Sequence, residues 1–208
     1  MERKRVGIVL FENVEVLDFC GPFEVFSATR LNEEKRREEL SPFEILLVAE
    51  HPQPVIATGN MKVIPHETFD NCPRLDILVV PGGWGTRKEL NNLVMLNWLR
   101  TRDAEVETLT SVCTRSMLLG FAGLLNGLHA TTHWRSLDWM RDSFPAVTVE
   151  YGKHVVEDGR VLTSAGISAG IDLALRVVAR YFGEDIARAT AKHMEYPYPD
   201  SDARRIHL

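Results

Sequence analysis

The segment Val106-Glu107-Thr108-Leu109-Thr110-Ser111-Val112-Cys113-Thr114-Arg115-Ser116-Met117-Leu118-Leu119-Gly120-Phe121 decides the fold. Residues 106–112 read as a strand running straight into Cys113, after which Met117, Leu118, Phe121, Leu124 and Leu125 follow helical spacing. Cys113 is thereby placed at a strand-to-helix junction. Outward from it, residues 6–11 form an unbroken apolar run and residues 75–80 one interrupted only by Asp76, the pattern of strands covered on both faces. Residues 43–49 predict another strand, with helices over 17–29 and 91–102 in between and an amphipathic segment at 135–142. Shorter strands are expected at 55–57 paired with 62–64, and at 147–151, 154–157 and 161–164, before two helices from Ile171 onward. Strands alternating with helices predict an α/β fold with a mostly parallel sheet covered on both faces. Ligands in such folds bind beyond the carboxyl ends of the strands. Three features lie at those ends: a turn carrying Asp18, the loop Pro81-Gly82-Gly83-Trp84-Gly85, and Cys113.

The rest of the chain bounds what this site can be. It has 208 residues, 45% hydrophobic and 25% charged, enough for a packed core without a disulfide or structural metal, and one domain over 1–208 is expected. Cys20, Cys72 and Cys113 are odd in number and form no C-x-x-C pair, which fits a reducing cytoplasm better than a secreted framework. With 29 acidic against 24 basic residues the net charge is −5, and no basic stripe suits nucleic acid. Glu12, Asn13 and Glu15 interrupt the first apolar stretch too early for a signal peptide, and no run approaches the roughly 20 residues of a membrane span. No His or Cys pair has zinc-ligand spacing, and neither G-x-G-x-x-G nor a P-loop is present, so no metal and no cofactor are expected.

Backbone amides at a helix start favour thiolate over thiol, so Cys113 is expected to ionise below the free-thiol value of about 8.5. An isolated cysteine is more often buried and inert; the junction counts against that. A nucleophile on a sharp strand-to-helix turn is the mechanical solution of the nucleophile elbow, with backbone N–H groups nearby to stabilise charge.

Residues 111–125, with Ala130-Thr131-Thr132-His133-Trp134, resemble the DJ-1/PfpI superfamily, most nearly its isocyanide hydratase-like branch. Leu17-Asp18-Phe19-Cys20-Gly21-Pro22, Val80-Pro81-Gly82-Gly83, the stretch from Thr163 to Asp172, and Glu195-Tyr196 extend the resemblance over nearly the whole chain. The same pattern also forms the sensor half of AraC-type regulators. The resemblance implies a flavodoxin-like three-layer α/β sandwich, akin to class I glutamine amidotransferases, that forms homodimers and acts on a small molecule. It implies Cys113 as nucleophile, the Asp18 carboxyl beside it as proton shuttle, and Thr114 as their neighbour. PfpI-type proteases place His directly after the nucleophile, and Thr114 departs from them. Gly82, Gly83, Trp84 and Ile167 are the implied pocket residues, with His133 and Arg115 as accessory ones. Relatives of the hydratase usually carry Gly where Arg115 stands; its side chain either points outward or reaches into the pocket, where a carboxylate-bearing substrate or Glu24 could face it. The implied reaction is addition of water to an isocyanide, giving an N-substituted formamide. Glyoxalase-like or redox chemistry at Cys113, and ligand binding without turnover, are the other readings. A regulator's DNA-binding half would follow residue 200 or so, and the sequence ends at Leu208.

Overall fold

The computed structural model describes residues 2–206. In chain order the elements are β1 (Lys4–Leu10), α1 (Val16–Ala28), β2 (Phe43–Ala49), β3 (Val55–Ile56), β4 (Lys62–Val63), β5 (Glu67–Thr68), β6 (Ile77–Val80), α2 (Thr86–Glu89), α3 (Leu93–Asp103), β7 (Thr108–Val112), α4 (Ser116–Phe121), β8 (His129–Ala130), α5 (Leu137–Ser143), β9 (Thr148–Val149), β10 (Val155–Asp158), β11 (Val161–Ser164), α6 (Ala169–Phe182) and α7 (Glu184–His193). Seven strands form one sheet in the order β10-β11-β7-β6-β1-β2-β5. Every pairing in it is parallel except the β10–β11 hairpin at one edge. This is the flavodoxin-like α/β sandwich.

The central strands are buried on both faces because helices cover both. β6 (Ile-Leu-Val-Val) and β7 (Thr-Leu-Thr-Ser-Val) are buried along their whole length. The hydroxyls that alternate in β7 need partners there: Thr110 Oγ1 donates to the Leu78 carbonyl at 3.1 Å, and Thr108 Oγ1 meets the Tyr181 hydroxyl at 2.9 Å. α6 buries Leu173, Ala174, Val177 and Val178 against the sheet and packs with α1 and α7. Phe43 bridges β2 to this layer, with its ring 4.8 Å from that of Phe26 on α1 and 5.3 Å from that of Phe182 on α6. No helix among the described residues is long and apolar enough to cross a membrane.

Two local readings are corrected. α1 begins at Val16, so Asp18 lies in its first turn and Pro22 inside it rather than at its start. Proline lacks the N–H that would bond the carbonyl four residues back, which is that of Asp18, but its φ suits a helix and the buried face of Phe19, Val25 and Phe26 keeps the helix going. The helix expected at 91–102 is preceded by the separate short α2, and Asn92 caps α3 by accepting from the N–H groups of Val94 and Met95 at 3.0 and 3.1 Å.

Candidate active site

β7 delivers Cys113 to the carboxyl edge of the sheet. Its N–H still donates to the Ala165 carbonyl at 3.1 Å, continuing the β11–β7 pairing one residue past the last strand position. The backbone then turns at φ 61°, a left-handed value uncommon for a residue with a side chain, into the helical turn Cys113–Arg115. Two hydroxyls hold the strained residue by its carbonyl: Thr132 Oγ1 donates to it at 2.9 Å and Ser116 Oγ at 3.3 Å. Ile167, with φ 54°, turns the neighbouring loop toward the same sulfur. The N–H groups of Thr114 and Ile167 both favour the thiolate.

Asp18 is fully buried behind Cys113. Gly82 N–H donates to its Oδ2 at 2.9 Å, while Oδ1 has no hydrogen-bond partner among the described residues. Burial, aided by the nearby Glu15 charge, pushes this carboxyl up from 3.8 to about 8, even though the Gly82 N–H and the Cys113 thiol favour its charged form. Asp18 is therefore a neutral acid at pH 7, and Oδ1 is the oxygen free to carry the proton. Of the two loop glycines expected in the pocket, Gly82 thus has its amide engaged with Asp18. That of Gly83 points at Thr114 Oγ1, 3.5 Å away, which in turn lies 3.2 Å from Thr86 Oγ1. Gly82 has no room for a side chain: a Cβ would stand 2.8 Å from Asp18 Oδ2 and 2.9 Å from Cys113 Cβ.

The expected low thiol pKa is corrected. Burial and then the Asp18 carboxyl push Cys113 above its ordinary value, outweighing the Thr114 and Ile167 amides. The following helix, α4, has only six residues, so its dipole offers little to offset the cost of desolvation. The resting pair is a thiol facing a protonated carboxyl.

Cys113, Thr114, Trp84, Ile167 and His133 line one cavity of about 480 Å³, within the range of small-molecule sites. His133 caps a short helical turn, its Nδ1 accepting from Arg135 N–H at 3.3 Å, and burial holds its pKa below the ordinary value. Its ring packs so closely on Gly166 that a Cβ there would come within 2.1 Å of Cδ2. Arg115 takes neither orientation open to it from the sequence. It is the largest fully buried side chain, with its guanidinium 3.8 Å above the Phe11 ring and none of its three nitrogens hydrogen-bonded among the described residues. The carboxylate that influences it is Glu89; Glu24 is exposed beside Ser27. Sequence reasoning missed Glu15, Arg87, Arg135 and Trp139 of the cavity. Glu15 was detectable three residues before Asp18, whereas the others depend on how α2, α5 and the turn before α5 meet over Cys113.

A flavodoxin-like sandwich with a strained cysteine at a strand-to-helix elbow and a buried carboxyl behind it defines the class. The DJ-1/PfpI family model matches residues 4–180. The chain belongs to that family. It is 36% identical over 200 residues to an isonitrile hydratase of Pseudomonas putida, covering 96% of this chain and 82% of that one. It is 34% identical over 134 residues to the transcriptional regulator CdhR of Pseudomonas aeruginosa, covering 64% of this chain and 39% of the regulator. Among solved structures, a ThiJ/PfpI family protein from Pseudomonas syringae superposes with a TM-score of 0.83 at 32% identity, covering 97% of this chain and 79% of that one. Drosophila melanogaster DJ-1beta shares the fold, with a TM-score of 0.80 at 17% identity over 94% of this chain and all of that one.

Proposed function

We propose that the protein hydrates isocyanides, R–NC, to formamides, R–NH–CHO, using Cys113 as nucleophile and Asp18 as proton shuttle. The observation that carries this reading is the neutral Asp18 carboxyl beside the Cys113 thiol, with Oδ2 anchored on Gly82 and Oδ1 without a partner among the described residues. The terminal isocyanide carbon bears a lone pair, so it must accept a proton as it is attacked. Asp18 Oδ1–H delivers that proton to carbon while sulfur forms the C–S bond, and the thiol proton returns to the carboxyl. The product of this half is a thioimidate, Cys113–S–CH=N–R. Water then adds to its carbon, giving one proton to nitrogen through Asp18. The C–S bond breaks, the remaining hydroxyl becomes the formyl carbonyl, and its proton returns to sulfur. The thiol is regenerated, and R–NC plus water has become R–NH–CHO. Thr114, bonded to Thr86 and in reach of Gly83, fixes the turn that aims the sulfur.

Conversion of a small aromatic isocyanide to its formamide, followed by absorbance, tests the reading. Turnover is expected in wild type and lost in Cys113→Ala and Asp18→Asn; turnover that survives Cys113→Ala refutes it. Ligand sensing without turnover is the second reading, favoured by the similarity to CdhR, and absence of turnover in wild type would select it. The protein is taken to act as a homodimer in the cytoplasm; family resemblance supports the first point and the unpaired Cys20, Cys72 and Cys113 the second.

A further inference from the structure

The cavity over Cys113 is walled by three indoles, those of Trp84, Trp134 and Trp139, and carries three charged side chains, Glu15, Arg87 and Arg135. Trp84 is 79% exposed and Trp134 43%, far more than large aromatics usually are without a partner. At neutral pH the charge balance is positive. The Asp18 carboxyl and the Cys113 thiol are neutral, burial keeps His133 uncharged, and two guanidiniums stand against the single Glu15 carboxylate. That carboxylate lies near Asp18, at the reacting end. Neither Arg87 nor Arg135 has a carboxylate within 4 Å among the described residues, whereas Arg5, Arg36, Arg102, Arg141, Arg160 and Arg176 all do. Arg135 is also held in place: its guanidinium lies 4.8 Å from the Trp134 ring centroid, which leaves its N–H edge free for a planar acceptor.

We propose that the substrate's substituent is an aromatic ring bearing a carboxylate at its far end, with the ring against the tryptophans and the carboxylate on Arg87 and Arg135. This rests on the hydratase reading for the reacting carbon and extends it to the group the carbon carries. A flat ring gains from indole stacking at little cost in conformational freedom, and an arginine fork matches a carboxylate in geometry as well as charge. Exposed pairs of this kind are modest individually, so the two together are expected to favour the anion by about 5-fold or more at low salt, less as salt screens them.

The test is binding of the reaction product, which needs no turnover. Quenching of tryptophan fluorescence is titrated with 4-formamidobenzoate and its neutral isostere 4-formamidobenzamide, in wild type and in the Arg87→Gln/Arg135→Gln double variant. Tighter binding of the benzoate in wild type is expected, with the ratio of the two affinities falling to about 1 in the double variant. Equal affinities in wild type, a preference that survives the double substitution, or no saturable quenching up to about 10 mM benzoate would overturn the proposal. Isocyanide turnover is assayed separately on the same preparations. A charge preference without turnover refutes the hydratase reading alone, and turnover without a charge preference refutes this inference alone.

Discussion

Replacing Arg115 with methionine is expected to stabilise the protein. The arginine is fully buried two residues beyond Cys113, and burial drives its pKa down from 12.5 to about 9, with Glu89 only partly opposing. A drop of that size corresponds to about 5 kcal/mol of stability withheld at pH 7, at 1.36 kcal/mol per unit. Against it stand a desolvated cation–π contact with Phe11, worth about 2 kcal/mol, and the void left beneath a shorter side chain, taken as about 1 kcal/mol; the attraction to the buried Glu89 is already contained in the lowered pKa. Methionine keeps much of the stem, adapts to an irregular gap and removes the charge, so the net gain is about 2 kcal/mol. For a chain of this length that raises Tm by about 4–8 °C. The sign with pH follows from the depressed folded pKa. Between about 9 and 12.5 the unfolded chain holds the extra proton, so wild type gains stability as pH rises through that window while Arg115→Met does not. The gap between them should shrink in urea melts taken at pH 7, 9 and 10. Arg115→Lys, which keeps the charge and loses the planar stack, should fall below wild type. An Arg115→Met protein that melts below wild type would refute the reasoning and mean that the guanidinium has found hydrogen-bond partners.

The remaining expectations concern the elbow and its carboxyl. Asp18→Asn should abolish isocyanide turnover and be more stable than wild type at pH 8–9. A carboxyl raised from 3.8 to about 8 contributes most below pH 4 and loses that contribution as pH rises through 8, so the variant should lack that slope in pH-dependent melts. For the same reason, wild-type kcat/KM should fall above about pH 8 as the Asp18 proton is lost, and a rate that instead rises steadily to pH 10 would deny it the acid role. Gly82→Ala should reduce turnover by roughly 100-fold or more while the protein still folds, because its Cβ must displace Asp18 Oδ2 or Cys113. Cys113→Gly should be more stable than Cys113→Ala by about 1 kcal/mol in urea titrations, since glycine accepts φ 61° without strain.

Much of this site is written in local sequence, and the parts that are not share a physical cause. The apolar runs behind β1 and β6, the strand pattern at 106–112 and the breaks at Pro81 and Cys113 place three strand ends together, so the elbow is legible from local sequence. The strands β5 and β8 are two residues long, too short for any periodicity to register. Arg115 was beyond reach for another reason. A long cation in the first turn after a nucleophile reads as exposed or as active-site chemistry, and only the packing of β1 against the α2 loop reveals that Phe11 occupies the ground beneath it. The thiol expectation failed similarly: the junction identified the right residue, but helix length and burial, which set the sign of the shift, are tertiary quantities.

That sign bears on the chemistry. A cysteine that attacks a carbonyl profits from being a thiolate, because carbonyl carbon is electron-poor and the charge moves to oxygen. An isocyanide carbon holds an unshared pair and presents electron density to the sulfur, so attack is unfavourable until a proton arrives on that same carbon. A site with an ionised thiol and an ionised carboxylate would have a nucleophile and no acid. Burying Asp18 and Cys113 together, with Glu15 nearby and without a histidine at position 114, keeps both protons in place until substrate enters. Under the hydratase reading, proton and sulfur then arrive at one carbon from adjacent groups, and the carboxyl, reprotonated from the thiol, relays a proton from the water that follows to nitrogen. Under this reading, Asp18→Glu tests position independently of acidity. It retains the carboxyl but pushes it one methylene further into a space where Gly82 N–H already lies 2.9 Å from Oδ2. Turnover should drop about 10- to 100-fold while the fall in rate at alkaline pH is retained; an unimpaired Glu variant would show that the carboxyl need not be held by Gly82 at all.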